Sequence, residues 1–239
     1  MKADLHIHTN FSCDGVSSPK EVINSAIKKG IDCICITDHN EIKGAIEAMK
    51  FSFDKNILII PGIEILSTSG DVLGINIRKM IPDGLSVEET IKEIRKQGGI
   101  AVIPHLFDPF LLNLKGSEKK FLNIRPDAIE VFNASNILNS SNEKALDFSQ
   151  KNNFCFTAGS DAHRKEFIGR GYIEISEKIF SEKDITEAIM NKKVKFGGKP
   201  LGYYEILKNS TNTNIGRSIN YWHFWRRNDK WKKDKNLIR

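Results

Sequence analysis

The chain has 239 residues, 40% apolar and 28% charged, enough to bury one full core and unlike a disordered or fibrous composition. No apolar run approaches the ~18 residues that cross a bilayer, and Met1-Lys2-Ala3-Asp4-Leu5 lacks the layout of a signal peptide. The net charge of +6 is unevenly spread: residues 208–239 hold nine Lys or Arg against two Asp or Glu, leaving the body nearly neutral. Four cysteines (Cys13, Cys33, Cys35, Cys155) show neither disulfide density nor a CxxC zinc pattern, so a reducing, cytoplasmic setting without a transmembrane segment is expected.

Along the chain, short apolar runs alternate with amphipathic stretches. Strands are predicted at residues 3–8, 33–37, 57–64, 72–77, 100–104, 128–132, 154–158 and 171–175. In the first, Asp4-Leu5-His6-Ile7-His8-Thr9 sets His6 and His8 two apart, on one face of an extended segment. Ser18-Pro19-Lys20-Glu21 then marks a helix start with an N-cap, a proline and a capping-box glutamate, and Gly30 ends that helix. Cys33 and Cys35 read as small buried residues in the second strand, which leads to Thr37-Asp38-His39. The third strand ends on Pro61-Gly62-Ile63-Glu64. Ser86-Val87-Glu88-Glu89 repeats the capping box, and Pro104-His105 follows the next strand. After the seventh predicted strand comes Gly159-Ser160-Asp161-Ala162-His163, and Ser181-Glu182-Lys183-Asp184 opens a last well-marked helix.

This alternation predicts an α/β protein with parallel strand pairing. His8, His39, Glu64, His105, Asp161 and His163 all fall at or just beyond predicted strand ends. In a βα-barrel such ends meet in one pocket, so residues 150 positions apart would converge. Imidazoles mixed with carboxylates are the donor set for Zn, Mn or Fe.

The motifs Asp4-Leu5-His6-Ile7-His8-Thr9, Phe11-Ser12-Cys13-Asp14-Gly15, Ile36-Thr37-Asp38-His39, Pro61-Gly62-Ile63-Glu64, Pro104-His105 and Gly159-Ser160-Asp161-Ala162-His163 resemble, in order, those of the PHP (polymerase and histidinol phosphatase) superfamily. The resemblance implies a distorted (βα)7 TIM-like barrel over residues 1–207, with residues 208–239 as a basic, aromatic C-terminal extension. It implies two or three divalent ions. The first would take His6, His8, Glu64 and Asp161; a second would share Glu64 with His105; a third would take Asp14, His39 and His163. Many members place a histidine where this chain has Asp71, and an aspartate ligand there would favour Mn or Fe over Zn. Asp38 is expected to orient a ligand histidine, Cys13 to be a bystander, and His223 to have no metal role.

The activity implied is hydrolysis of a phosphate ester by ion-activated water, on a small phosphorylated metabolite or nucleotide. An exonuclease of short single-stranded oligonucleotides, a histidinol-phosphate phosphatase and a non-catalytic metal-binding protein are the rival readings. Arg164, Arg170 and Lys165 follow the last ligand and are candidate phosphate contacts. Residues 107–117 and 133–142 are candidate specificity loops. The extension carries all three tryptophans among its cations. It reads first as a helix packed on the barrel; binding of single-stranded nucleic acid, or of an anionic membrane or a protein, are the alternatives.

Overall fold

Serine caps set the helix starts as expected. In a computed structural model, which describes residues 1–109 and 122–210, Ser18, Ser86 and Ser181 each accept from the N3 amide while the N3 carboxylate accepts from the cap amide. These caps open α1 (Pro19–Lys28), α3 (Val87–Lys96) and α5 (Glu182–Met190). Two helices begin without any side-chain cap, at Ile42 and Leu138: α2 (Lys43–Phe51) and α4 (Asn139–Lys151). Their starts carry no sequence signal of that kind. A further helix, α6 (Tyr203–Ser210), spans the expected boundary at 207/208.

The strands are β1 (Lys2–Ile7), β2 (Cys33–Ile36), β3 (Leu58–Ser67), β4 (Gly70–Ile75), β5 (Ile100–Ile103), β6 (Ala128–Asn133), β7 (Cys155–Gly159), β8 (Gly171–Ile175) and β9 (Val194–Gly198). They form one sheet in the order β7-β6-β5-β4-β3-β2-β1-β8-β9. The sheet curls into a nearly closed barrel, because the chain after β7 returns to β1. His8 N–H donates to Ala162 O at 2.9 Å and Asp161 N–H to His6 O at 2.8 Å. The barrel wall is thus β1 to β7 in sequence order, with the antiparallel β8–β9 pair attached beside the start of β1.

Uniform parallel pairing does not hold. β4 runs antiparallel to both β3 and β5, and β8 antiparallel to β1 and β9. The physical reason is connection length. Only Thr68 and Ser69 separate β3 from β4, which suffices for a hairpin and not for the crossover that parallel neighbours need. The reversal matters for the site, since it brings the beginning of β4, not its end, to the rim that carries the candidate ligands. Asp71 pairs with Leu66 there.

Both faces of the wall are buried, and alternate residues divide between two apolar clusters. Ile34, Ile36, Ile59, Ile63, Val72, Ala101, Ile103 and Ile129 pack under α1 to α4. Cys33, Cys35, Ile60, Leu73, Ile75, Val102 and Ala128 face the other way and meet Ile185, Ala188 and Ile189 of α5. Burial pushes the thiols of Cys33 and Cys35 up, as small core residues. By the period of two, Glu64 shares a face with Ile60, Asp71 with Leu73 and Glu130 with Ala128. The inner face is apolar at one end and ionisable at the other.

Candidate metal centre

Glu64, midway along β3, is the hub. Its Oε2 lies 3.3 Å from His6 Nε2, 3.2 Å from His8 Nε2 and 3.2 Å from His39 Nδ1, and its Oε1 lies 3.2 Å from His105 Nε2. Asp161 Oδ1 stands 3.3 Å from His8 Nε2 and 3.6 Å from His6 Nε2. Asp14 Oδ2 lies 3.3 Å from both His39 Nε2 and His163 Nε2. The five expected histidines and Asp14, Glu64 and Asp161 therefore converge, from strand ends as far apart as β1 and β7. Asp71 comes together with His39 and Glu64, rather than with His105. Eight of the nine residues are buried, and His39 is half-buried.

The neighbours of the imidazoles decide which nitrogen faces inward. A carboxylate or carbonyl oxygen can only accept, so His6 Nδ1–H donates to Glu130 Oε1 at 3.0 Å and His163 Nδ1–H to Asp161 O at 3.1 Å. Ser12 Oγ spends its hydrogen on Asp14 Oδ1 at 2.7 Å, and so accepts from His8 Nδ1–H at 3.4 Å and His39 N–H at 3.2 Å. In His6, His8 and His163 the Nε2 atom is thus the one turned to the cluster. Ring orientation by an outer hydrogen bond is what a metal-ligating histidine needs.

Burial and charge act against each other here. Burial alone would push His39 down, but Glu64 and Asp14 beside it hold it up at about 10. Burial likewise opposes the shift of His6, which Asp161, Glu130 and Glu64 raise well above the usual range. The carboxyls of Glu64, Asp14 and Asp161 sit well below theirs, because the surrounding histidines outweigh a burial that would raise them. His163 is lowered, chiefly by burial.

The residues fit divalent ions. His8 Nε2, His39 Nε2, His163 Nε2 and Asp14 Oδ2 are buried without a hydrogen-bond partner, and the donor atoms of His8, Asp14, His39 and His163 lie within 4.8 Å of one another. A second such group is His6, His8 and Asp161, and a third is His39, Glu64 and Asp71. Buried polar atoms left unsatisfied are costly, and a cation among them removes that cost. Nitrogen and carboxylate donors together suit Zn, Mn or Fe.

Several expectations change. Asp38 does not orient a histidine: its carboxylate accepts from the Thr9 amide and from Thr9 Oγ1 at 2.7 Å, and burial pushes it up to about 6. It braces the loop that follows β1, and only glycine fits at position 44, since a Cβ there would run into Asp38 Oδ2. Arg170 is committed elsewhere. Its Nη1 and Nη2 grip Glu205 at 2.8 and 3.0 Å, and its Nε and Nη2 donate to Lys199 O and Pro200 O. That pattern anchors α6 and takes the guanidinium away from a phosphate role. Lys165 pairs with Glu21 at 2.6 Å, and Arg164 Nε donates to Lys208 O at 2.8 Å. Cys13 is exposed. Of the two specificity loops, residues 110–117 lie outside the described residues. Within 133–142, Asn133, Asn136 and Asn142 are buried and joined through Asn142 Oδ1, so part of this segment is scaffold. His223 and the tryptophans also lie outside the described residues.

Four supporting residues had no assigned role. Glu130 of β6 accepts from His6 with Oε1, and with Oε2 from His105 N–H at 3.0 Å and Asn133 Nδ2 at 2.9 Å. Its signal was available: a lone acid between Ile129 and Val131 in an apolar strand is rarely buried without a task. Ser12 stood inside a motif. Ser135 and Asn209 meet the Asp161–His163 turn from distant segments, and nothing local in the sequence marks them.

Residues 4–103 match the PHP domain and residues 139–194 a PHP-associated segment. An uncharacterized protein of Methanocaldococcus jannaschii is 40% identical over 144 residues, covering 56% of this chain and 82% of its own. A second protein of that organism is 35% identical over 187 residues, 74% of this chain and 71% of its own. Among solved structures, a two-domain protein from Bacteroides vulgatus containing a predicted PHP-like metal-dependent phosphoesterase shares the fold. Its TM-score is 0.70, at 21% identity, over 87% of this chain and 68% of that one. Matched in both segments and over most of each relative's length, the chain belongs to the PHP family, whose members are metal-dependent phosphoesterases and related hydrolases.

Proposed function

We propose that this chain hydrolyses phosphate esters of small phosphorylated metabolites or nucleotides at a centre of two or three divalent ions. The observation that carries the reading is Glu64, whose two oxygens face different imidazoles, His6, His8 and His39 on one side and His105 on the other. His6, His8, Glu64 and Asp161 would hold one ion, Glu64 and His105 a second, and Asp14, His39 and His163 a third, with His8 adjoining the last group and Asp71 lying beside His39 and Glu64. Bound ions of this kind lower the pKa of water and neutralise charge on the phosphoryl group. The protein's own part is to fix the donors. Glu130, Ser12 and the Asp161 carbonyl hold Nδ1 of three histidines, and Asp4 ties the turn after β7 to β1 by accepting from Ser160 N–H at 2.9 Å and Gly169 N–H at 2.8 Å.

Elemental analysis of the purified chain, followed by a panel of nucleotides and sugar phosphates with Zn, Mn or Fe, tests the reading. Two or three ions per chain and phosphate release that His39→Ala abolishes are expected. Absence of bound ion, or of turnover with every ester and every ion, would overturn it.

A nuclease reading is favoured by one feature. Helix α6, which leads into the basic and aromatic residues 211–239, is pinned to the Asp161–His163 turn. A chain ending at Ser210 separates the two readings. Loss of activity on single-stranded oligonucleotides, with a steep salt dependence in the full chain, supports the nuclease. An unchanged rate on small esters supports the phosphatase.

A further inference from the structure

The turn that delivers two of the ligands is conformationally unfavourable by itself. Asp161 has φ of 51°, in the left-handed region that side-chain-bearing residues seldom occupy. Such a backbone persists where surrounding groups over-determine it. Here they converge on one carbonyl: Asp161 O accepts from His163 Nδ1–H at 3.1 Å, Ser135 Oγ at 3.1 Å and Asn209 Nδ2 at 3.0 Å. The other end of the same amide, Asn209 Oδ1, accepts from His163 N–H at 3.0 Å. Asn209 is 4% exposed and comes from α6, 46 residues further along the chain. One side chain thus supplies both a donor and an acceptor to the turn.

We propose that Asn209 is a positioning residue for the metal centre, holding the Asp161–His163 turn in the shape that aims both side chains at the ions. The inference rests on the reading of the cluster as a metal centre. Asp161 and His163 belong to different ion groups, so one hydrogen-bonded amide serves both. An aspartate at 209 keeps the acceptor for His163 N–H but sets a second acceptor against Asp161 O. A leucine fills the space and offers neither. The docking of α6 itself is separable, because Arg170 grips Glu205 at 2.8 and 3.0 Å one helical turn earlier without touching the Asp161–His163 turn.

The test compares full-length Asn209→Asp, Asn209→Leu and Glu205→Gln with the unaltered chain. Zinc and manganese affinities are measured by chelator competition, the ligand field by the visible spectrum of the cobalt(II)-loaded protein, and the unfolding midpoint without metal. Loss of an outer partner of a metal ligand costs about 10–100-fold in affinity. Both Asn209 variants are expected to lose that much for at least one ion and to alter the cobalt spectrum. Glu205→Gln is expected to lower the midpoint and leave affinity within about twofold of the parent. If Asn209→Leu does not fold, the near-isosteric Asn209→Asp decides. Asn209 variants that bind as the parent does, whatever their midpoints, overturn the proposal. An equal loss in Glu205→Gln assigns the effect to helix docking and also overturns it. A parent chain that takes up no ion sinks the metal-centre reading, and this inference with it.

Discussion

Replacing Glu130 by glutamine keeps size and shape and changes only what the two ends of the side chain can do. In the native site Oε1 accepts from His6 Nδ1–H and Oε2 from His105 N–H and Asn133 Nδ2, so all three partners are donors. A glutamine can turn its carbonyl to His6 only by pointing its NH₂ at two other donors. Turned the other way, the NH₂ faces His6 Nδ1, forces that atom to accept, and moves the ring proton to Nε2, which faces Glu64 Oε2 at 3.3 Å. The second orientation takes from His6 Nε2 the lone pair that an ion needs, and escaping it through the first sets donor against donor, a cost of about 1–3 kcal/mol. At about 1.4 kcal/mol per tenfold, this matches the 10–100-fold loss of ion affinity typical of outer partners. Competition with a chromogenic chelator measures that affinity directly, and thermal unfolding of the metal-free protein reports the folding share of the cost. Glu130→Gln and Glu130→Ala chains that both retained parental affinity within about twofold would refute the reasoning, since the loss expected is at least tenfold.

Gly159→Ala should disturb the same pair sterically, because an added Cβ would run into His6 Cβ and lie 2.8 Å from His6 N and 3.1 Å from Glu130 Oε1. Overpacking of this kind costs about 1–3 kcal/mol, so a lower unfolding midpoint and weakened ion binding are expected together. Ser12→Ala removes the hydroxyl shared by His8, His39 N–H and Asp14, and should weaken ion affinity about tenfold while the midpoint moves little. Ion binding should release protons at pH 7. His39, held at about 10, is protonated there without metal, and an ion must displace that proton. Since protons bind below a raised pKa, affinity should weaken as pH falls. Calorimetry in two buffers of different ionisation heat measures the release, and heats identical after correction, with no net proton, would contradict it.

The candidate ligands were legible because each sits in a short local pattern. His6 and His8 are two apart on a strand, Asp14 and His39 lie within a few residues of strand ends, and Glu64, His105, Asp161 and His163 close apolar runs. Three helix starts were equally plain, since a capping box is a contact over three residues. Position alone could not tell which polar groups stand behind those ligands. The roles of Glu130, Ser135 and Asn209 depend on atoms brought together across 26 to 124 residues. The same holds for Arg170, whose place after the last motif suggested phosphate binding while its guanidinium is closed by Glu205 from a helix 35 residues on. The direction of β4 and the grouping of Asp71 with His39 follow from a two-residue hairpin and from the curl of the wall. The amino-acid order by itself determined the donor chemistry, because imidazole and carboxylate properties belong to single residues. Only the tertiary structure decided ring orientation and the ligands' outer support, because a hydrogen bond needs its partner within about 3 Å and at the right angle.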